Sequence, residues 1–256
     1  MRFGKNILRL VIGAGIILFG VIKFCSSSED NPYTGEKQYV DLTPEEEIAL
    51  GQQSLSAMVE QYGGLHQNQQ EQNAVRSLGE KLVNNSIASS SPYEFQFYLL
   101  ADPKTVNAFA LPGGPVFITY ALYSRLENED QLAGVLGHEI GHVIGRHSAE
   151  RMAKQGLSNS VLTGVAVGSE SQGATQAAAV IGNLVNMKYG RGDELQSDNL
   201  GVKIMLDAGY DPEALINVME ILKRASGGQQ VPEFQSTHPD PENRKEKIRE
   251  AIEEYQ

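Results

Sequence analysis

His138 and His142 stand four residues apart in the run His138-Glu139-Ile140-Gly141-His142, with a glutamate directly after the first histidine. On an α-helix, residues four apart differ by only ~40° in azimuth, so both imidazoles face one way and can offer nitrogen to one cation. Glu139 is rotated ~100° from His138, near enough to the cation's open position to take a proton from water there without being a ligand. A zinc ion held in this way lowers the pKa of its bound water to roughly 7, which makes hydroxide available at neutral pH. The run therefore reads as half of a catalytic zinc site with Glu139 as its base. Two histidines and a glutamate can also meet by coincidence on a solvated helix face. Here Ile140, Val143 and Ile144 call for a buried helix, and imidazoles buried without partners carry a desolvation cost.

A catalytic site needs a third protein ligand and keeps the fourth position for water. Cys25 is the only cysteine, which excludes thiolate ligation and an internal disulfide, so the donors must be nitrogen and oxygen. Gly145 falls where metzincins break their active-site helix, but the third histidine of that pattern would stand where Ser148 is. His147 comes one residue early and lies ~140° from His142 if the helix continues. That phase favours a surface or helix-end imidazole, suited to the C-terminal dipole, over a ligand. Glu194 is the better candidate, because it begins a separate helix in which Asp198 follows one turn later on the same face. Asp198 would then accept the free ring N–H of a ligating histidine. The same acidic pair also suits an ordinary helix N-terminus, and spacing alone leaves both readings open.

The surrounding elements must hold these groups. With 256 residues, 41% of them hydrophobic, the chain has material for one sizeable core and an accessory segment. A net charge of -11 supplies no basic surface for a phosphate backbone, so nucleic acid is not an expected partner. Arg2, Lys5 and Arg9 precede an apolar run over about 10–24. Its ~15 residues lie between a signal-peptide core and a full span. Residues 1–24 are read as a membrane anchor, with a cleaved signal as the alternative; either exports the remainder, with the basic flank left in the cytoplasm. Residues 25–41 read as a polar tether and 42–256 as the catalytic domain.

Within that domain, Thr43-Pro44-Glu45-Glu46 caps a helix to about Tyr62, and an amphipathic helix follows over about 69–87. The aromatic-rich segment 93–100 predicts a strand. Segments 107–111 and 116–119 flank Pro112-Gly113-Gly114-Pro115, whose glycines can take the positive φ of a tight reversal, and predict a hairpin. A short helix at 121–126 and the catalytic helix at 129–146 come next. The Gly-, Ala- and Ser-rich stretch 155–192 reads as two helices with a mobile joint near 169–173, a possible lid. Helices over 193–207, from Asp211-Pro212-Glu213 to about Ala225, and from Asp240-Pro241 to Tyr255 complete the pattern.

Four motifs in this order resemble the M48 family of zinc metallopeptidases: 107–114, His138 to Val143, Glu194 to Asp198, and Ser236-Thr237-His238-Pro239. The match runs roughly over 31–249. That family comprises membrane-associated or exported enzymes, among them bacterial periplasmic quality-control proteases and a mitochondrial overlapping-activity protease. The resemblance implies a predominantly helical α+β, zincin-like fold with a small antiparallel sheet beside the active-site helix. It implies one zinc ion per chain on His138, His142 and Glu194, with Asp198 behind a ligand histidine. Ser197 replaces the alanine that usually precedes that aspartate. His238 is expected near the metal, either steadying the oxyanion or filling the fourth position at rest, with Arg244 as its oxyanion or supporting arginine. By analogy with other zincins, Asn107, Ala108, Phe109 and Ala110 should form the edge to which a substrate segment adds as a strand.

The function expected on this basis is a membrane-tethered endopeptidase, its catalytic domain on the periplasmic side, that hydrolyses misfolded or unassembled envelope proteins. After signal cleavage it would instead be free in the periplasm. The alternatives are a chaperone or assembly factor that binds unfolded strands and seldom cuts them, and a structural metal domain whose fourth position His238 would close.

Overall fold

In the computed structural model, which describes residues 2–169, 188–225, 233–239 and 243–256, helix α1 occupies Arg2–Ser26. Its section Asn6–Ser26 is long and apolar enough to cross a membrane. Twenty-one residues at 1.5 Å each reach about 31 Å, the thickness of a hydrocarbon core. The span exceeds the apolar run of the sequence because the helix continues through Arg9 and Lys23, whose long stems can lie along apolar surface. Leu8, Leu18 and Phe19 are exposed along it.

The chain divides into two units, residues 1–43 with 149–185 and residues 44–148 with 186–256. In the first, residues 25–41, expected as a polar tether, carry a short hairpin. Strands β1, Ser28–Asp30, and β2, Lys37–Tyr39, pair antiparallel. Asn31 closes their loop, its buried side-chain oxygen accepting from the N–H groups of Tyr33 and Thr34, an Asx turn that needs no apolar periodicity. Most of helix α6, His147–Ser169, belongs to this unit, and it meets α1 through small residues, Gly20 against Ser160 and Gly164 against Ile17. The rest of the expected joint and the second small-residue helix lie outside the described residues.

In the second unit, helix α2 is Pro44–Gln61 and α3 is Gln69–Asn84, started by Asn68. Strands β3, Gln96–Leu100, β4, Ala108–Ala110, and β5, Pro115–Thr119, form one sheet in the order β3-β5-β4. The sheet is mixed, not antiparallel throughout. β4 and β5 make the expected hairpin, while β3 reaches β5 from its other edge and runs parallel to it. Gly113 and Gly114 carry the turn at φ of 81° and 129°, and a side chain on Gly113 would strike the backbone of Ile48 in α2.

Helices α4, Tyr120–Tyr123, and α5, Glu129–Ile144, follow. Helix α7 is Arg191–Asp207, α8 is Glu213–Ala225, α9 is Glu233–Thr237 and α10 is Arg244–Tyr255; the expected Asp240-Pro241 start falls outside the described residues. The apolar core gathers Leu99, Phe117, Ile118, Leu136, Ile140 and Ile204, all without exposure. Buried Glu47 of α2 accepts from Arg146 Nε at 2.7 Å, which ties α2 to the turn after α5.

Candidate active site

Helix α5 is buried continuously from Gln131 to Ile144, so its polar side chains need internal partners. It can approach α7 closely because the contact is made of glycine. A side chain on Gly141 would lie 2.8 Å from both the carbonyl and the hydroxyl of Ser197, and one on Gly201 would lie 3.2 Å from the His138 nitrogen. Ser197, the residue that departs from the family pattern, donates its hydroxyl to the His138 carbonyl. This near contact of two backbones carries His138 and His142 onto Glu194.

The donor atoms converge. His138 Nε2 stands 3.0 Å from His142 Nε2 and 3.5 Å from Glu194 Oε2, and His142 Nε2 stands 3.5 Å from Glu194 Oε1. His238 Nδ1 joins them at 3.1 Å from Glu194 Oε1 and 3.4 Å from His138 Nε2. Ligands around a tetrahedral centre at ~2.0–2.1 Å stand ~3.3 Å apart, which these spacings match. The four residues offer one donor each within 4.8 Å of one another, all at most 1% exposed. Glu194 Oε2 is buried and, although Arg244 stands 3.3 Å away, makes no hydrogen bond among the described residues. Nitrogen and carboxylate donors packed this way fit a divalent cation such as zinc.

The electrostatics agree with a cation at this point. Burial works against a charged His138, but the carboxylates of Asp198 and Glu194 win and push it up to about 9. His142 is held well below its ordinary value by burial. Burial also acts to raise Glu194, yet His238, His138 and His142 draw it well below the usual carboxylate range.

Asp198 accepts from His138 Nδ1 at 2.9 Å and is itself gripped by Arg244, Nε to Oδ2 at 2.6 Å and a terminal nitrogen to Oδ1 at 2.9 Å. Arg244 also reaches Glu194 Oε2 at 3.3 Å. It is 3% exposed. His238 follows α9, its ring stacked on Phe234 with centroids 4.3 Å apart. Its Nε2 lies 3.7 Å from Glu139 Oε1. Glu139 is fully buried and neither carboxylate oxygen has a hydrogen-bond partner among the described residues; burial raises its pKa, with His238 and His138 opposing.

The expected substrate edge divides in two. Asn107 bonds inward, donating to Glu233 Oε1 at 3.0 Å, and at 1% exposure its side chain is a strut, not a contact surface. Thr119 donates to the Asn107 carbonyl and Leu111 to that of Pro115, so by the alternation of an antiparallel ladder Ala108 and Ala110 direct their main-chain groups away from β5. Val106 faces the same way, and its carbonyl already accepts from Phe234. Ala110, Leu111 and Pro112 line a small cavity together with His142, which sets the end of β4 beside the cluster.

Sequence reasoning missed several contributors. Tyr189 stacks on the His142 ring at 4.0 Å and bonds to Ser148 through its hydroxyl at 2.9 Å; a lone tyrosine after a Gly-rich stretch carries no signal for this. His147 is 4% exposed, against the surface position expected, with its Nδ1 2.8 Å from His142 Nδ1. It faces the side of His142 remote from Glu194. His147 is buried because α5 ends at Ile144 and Arg146 adopts a left-handed φ of 57°, which turns the chain back.

The sequence pattern of peptidase family M48 matches residues 69–252. The chain is 36% identical over 181 residues to the beta-barrel assembly-enhancing protease of Escherichia coli O157:H7, covering 66% of this chain and 36% of that protein. It is 26% identical over 250 residues to the mitochondrial metalloendopeptidase OMA1 of Schizosaccharomyces pombe, covering 96% and 71%. The chain thus spans about a third of the length of the bacterial relatives it matches.

Proposed function

The chain belongs to peptidase family M48, and on that premise we propose that it is a zinc-dependent endopeptidase in which Glu139 is the general base. The observation that carries this reading is the buried Glu139 carboxylate, with neither oxygen hydrogen-bonded among the described residues, beside four converging donors. When bound, the ion supplies Lewis acidity, lowering the pKa of water to roughly 7 and polarising the peptide carbonyl.

His138, His142 and Glu194 hold the ion, and Asp198, backed by Arg244, orients the His138 ring. Glu139 takes the proton of the attacking water and returns it to the leaving amine. His238, with Nδ1 toward Glu194 and Nε2 toward Glu139, would either complete the donor set or steady the developing oxyanion. A peptide laid along Ala108 and Ala110 pairs through its main chain, a mode that demands little of its sequence. Such a site suits unfolded or unassembled proteins. The apolar helix α1 would tether it to a membrane with the catalytic unit on the extracytoplasmic face, where misassembled envelope proteins are the substrate class.

An assembly factor that binds strands with little cleavage is the second reading, favoured by the assembly role in the bacterial relative's name. Degradation of casein by the purified chain separates the two. Glu139→Gln should lower the rate ~10²–10⁴-fold with zinc content retained, and a chelator should abolish the activity. A glutamine variant as fast as wild type would sink the hydrolytic mechanism. Undetectable cleavage by wild type, with unfolded protein still bound, would favour the assembly factor.

A further inference from the structure

We propose that His147 and Gln196 are positioning residues that fix the tautomer of His142, so that its Nε2 reaches the metal as a bare lone pair. The inference rests on the reading of His142 as a ligand. Three groups stand in line: His142 Nδ1 is 2.8 Å from His147 Nδ1, and His147 Nε2 is 2.8 Å from Gln196 Oε1.

With the Gln196 amide oxygen turned toward His147, as it stands, counting protons along this line leaves one solution for neutral rings. Two ring nitrogens at that distance share a single proton, since two would collide and none would set lone pair against lone pair. The Gln196 oxygen only accepts, so His147 Nε2 carries hydrogen. In neutral His147 the Nδ1 is then an acceptor, and the shared proton sits on His142 Nδ1. His142 Nε2 is left bare, facing His138 Nε2 at 3.0 Å and Glu194. Turning the Gln196 amide over reverses every step. His147 would donate to His142, and the proton would move to His142 Nε2, where a ligand atom must be.

The surroundings hold this line in place. Tyr189 stacks on one face of His142, and the His147 ring meets it edge-on at 79°. A side chain on Gly145 would lie 2.6 Å from His147 Nε2, so glycine there leaves room for the ring. Glu194, Gln196 and Asp198 all lie in the first turns of α7. One helix thereby supplies a ligand, the partner of His138 and the group that orients the partner of His142. Those partners are unlike: His138 is backed by a carboxylate and His142 by a neutral imidazole, which makes His142 the weaker donor of the pair.

Zinc affinity of the full-length chain, measured by competition with a chromophoric chelator, tests the assignment without reference to catalysis. His147→Leu removes the acceptor and should weaken zinc binding ~10–100-fold. His147→Asn places an amide oxygen where Nδ1 was and should restore most of the affinity. Gln196→Glu, a stronger acceptor at the end of the line, should bind zinc at least as tightly as wild type, whereas Gln196→Leu should bind it less tightly. Wild-type affinity in His147→Leu, or equal losses in the Leu and Asn variants, would overturn the proposal. If His142→Ala keeps wild-type affinity, the ligand reading fails; if it loses zinc while His147→Leu does not, only the tautomer assignment fails.

Discussion

Arg244 grips both oxygens of Asp198, at 2.6 and 2.9 Å, and Asp198 in turn accepts from the ring of His138. Burial raises the Asp198 pKa, but the guanidinium, with His138, more than offsets this and holds it below the usual range. The aspartate is therefore an anion when it orients the histidine. Removing one member of a buried pair leaves the other charge unpaired. Arg244→Met should cost about 3–5 kcal/mol of stability, read from denaturant unfolding, and should weaken zinc binding. Arg244→Lys should recover only part of either, since an ammonium cannot fork across two oxygens.

The glycine contact between α5 and α7 makes a second prediction. Gly141→Ala forces a methyl group against the backbone of Ser197, and overpacking of this kind costs about 1–3 kcal/mol. Because the proposed ligands sit on both helices, zinc affinity should fall with it. At Gly156 of α6 a methyl group would meet nothing within 4 Å among the described residues, so Gly156→Ala should stabilise by roughly 0.5–1 kcal/mol. Unfolding midpoints of the two variants that moved in the same direction would contradict this account.

A third concerns the strut beneath His238. Tyr62 donates its hydroxyl to Glu233, which also accepts from Asn107; burial, and then Glu233, push the Tyr62 pKa above its ordinary value, so the hydroxyl keeps its proton. Glu233 begins the helix that leads to His238. Tyr62→Phe should cost about 1.5–3 kcal/mol, as expected for a hydrogen bond to a charged group. It should lower kcat on an unfolded substrate more than it raises KM, because β4 itself stays in the sheet. An unchanged kcat would remove the link to His238.

The metal-free protein should show its own pH dependence. His138 has a folded pKa raised from 6.5 to about 9, so its contribution is fully present below the unfolded value and lost as pH rises through the folded one. Chelated protein should lose about 3 kcal/mol between those limits, while zinc-loaded protein should not, the ion taking the proton's place. Calorimetric zinc titration near neutral pH, in buffers of different ionisation enthalpy, should accordingly register proton release. Parallel stability curves for the two forms would contradict it.

The pairing of His138 and His142 on one helical face, with Glu139 beside them, and the hairpin were legible in the residues themselves, because helical phase, turn glycines and capping residues act over a few positions. The resemblance extended that reach to Glu194 and His238, which no local spacing connects to His138. What the local signals could not carry was the approach of distant backbones. The burial of His147 depends on the left-handed Arg146, which no periodicity announces, and Asn107 gave no sign that its partner was Glu233. The convergence of His138 and His142 could thus be read from one helix's periodicity. Glycine-to-backbone contact with α7 and the reversal at Arg146 decided which groups stand behind each ligand, since burial and hydrogen-bond partners belong to packed surfaces and not to sequence neighbours.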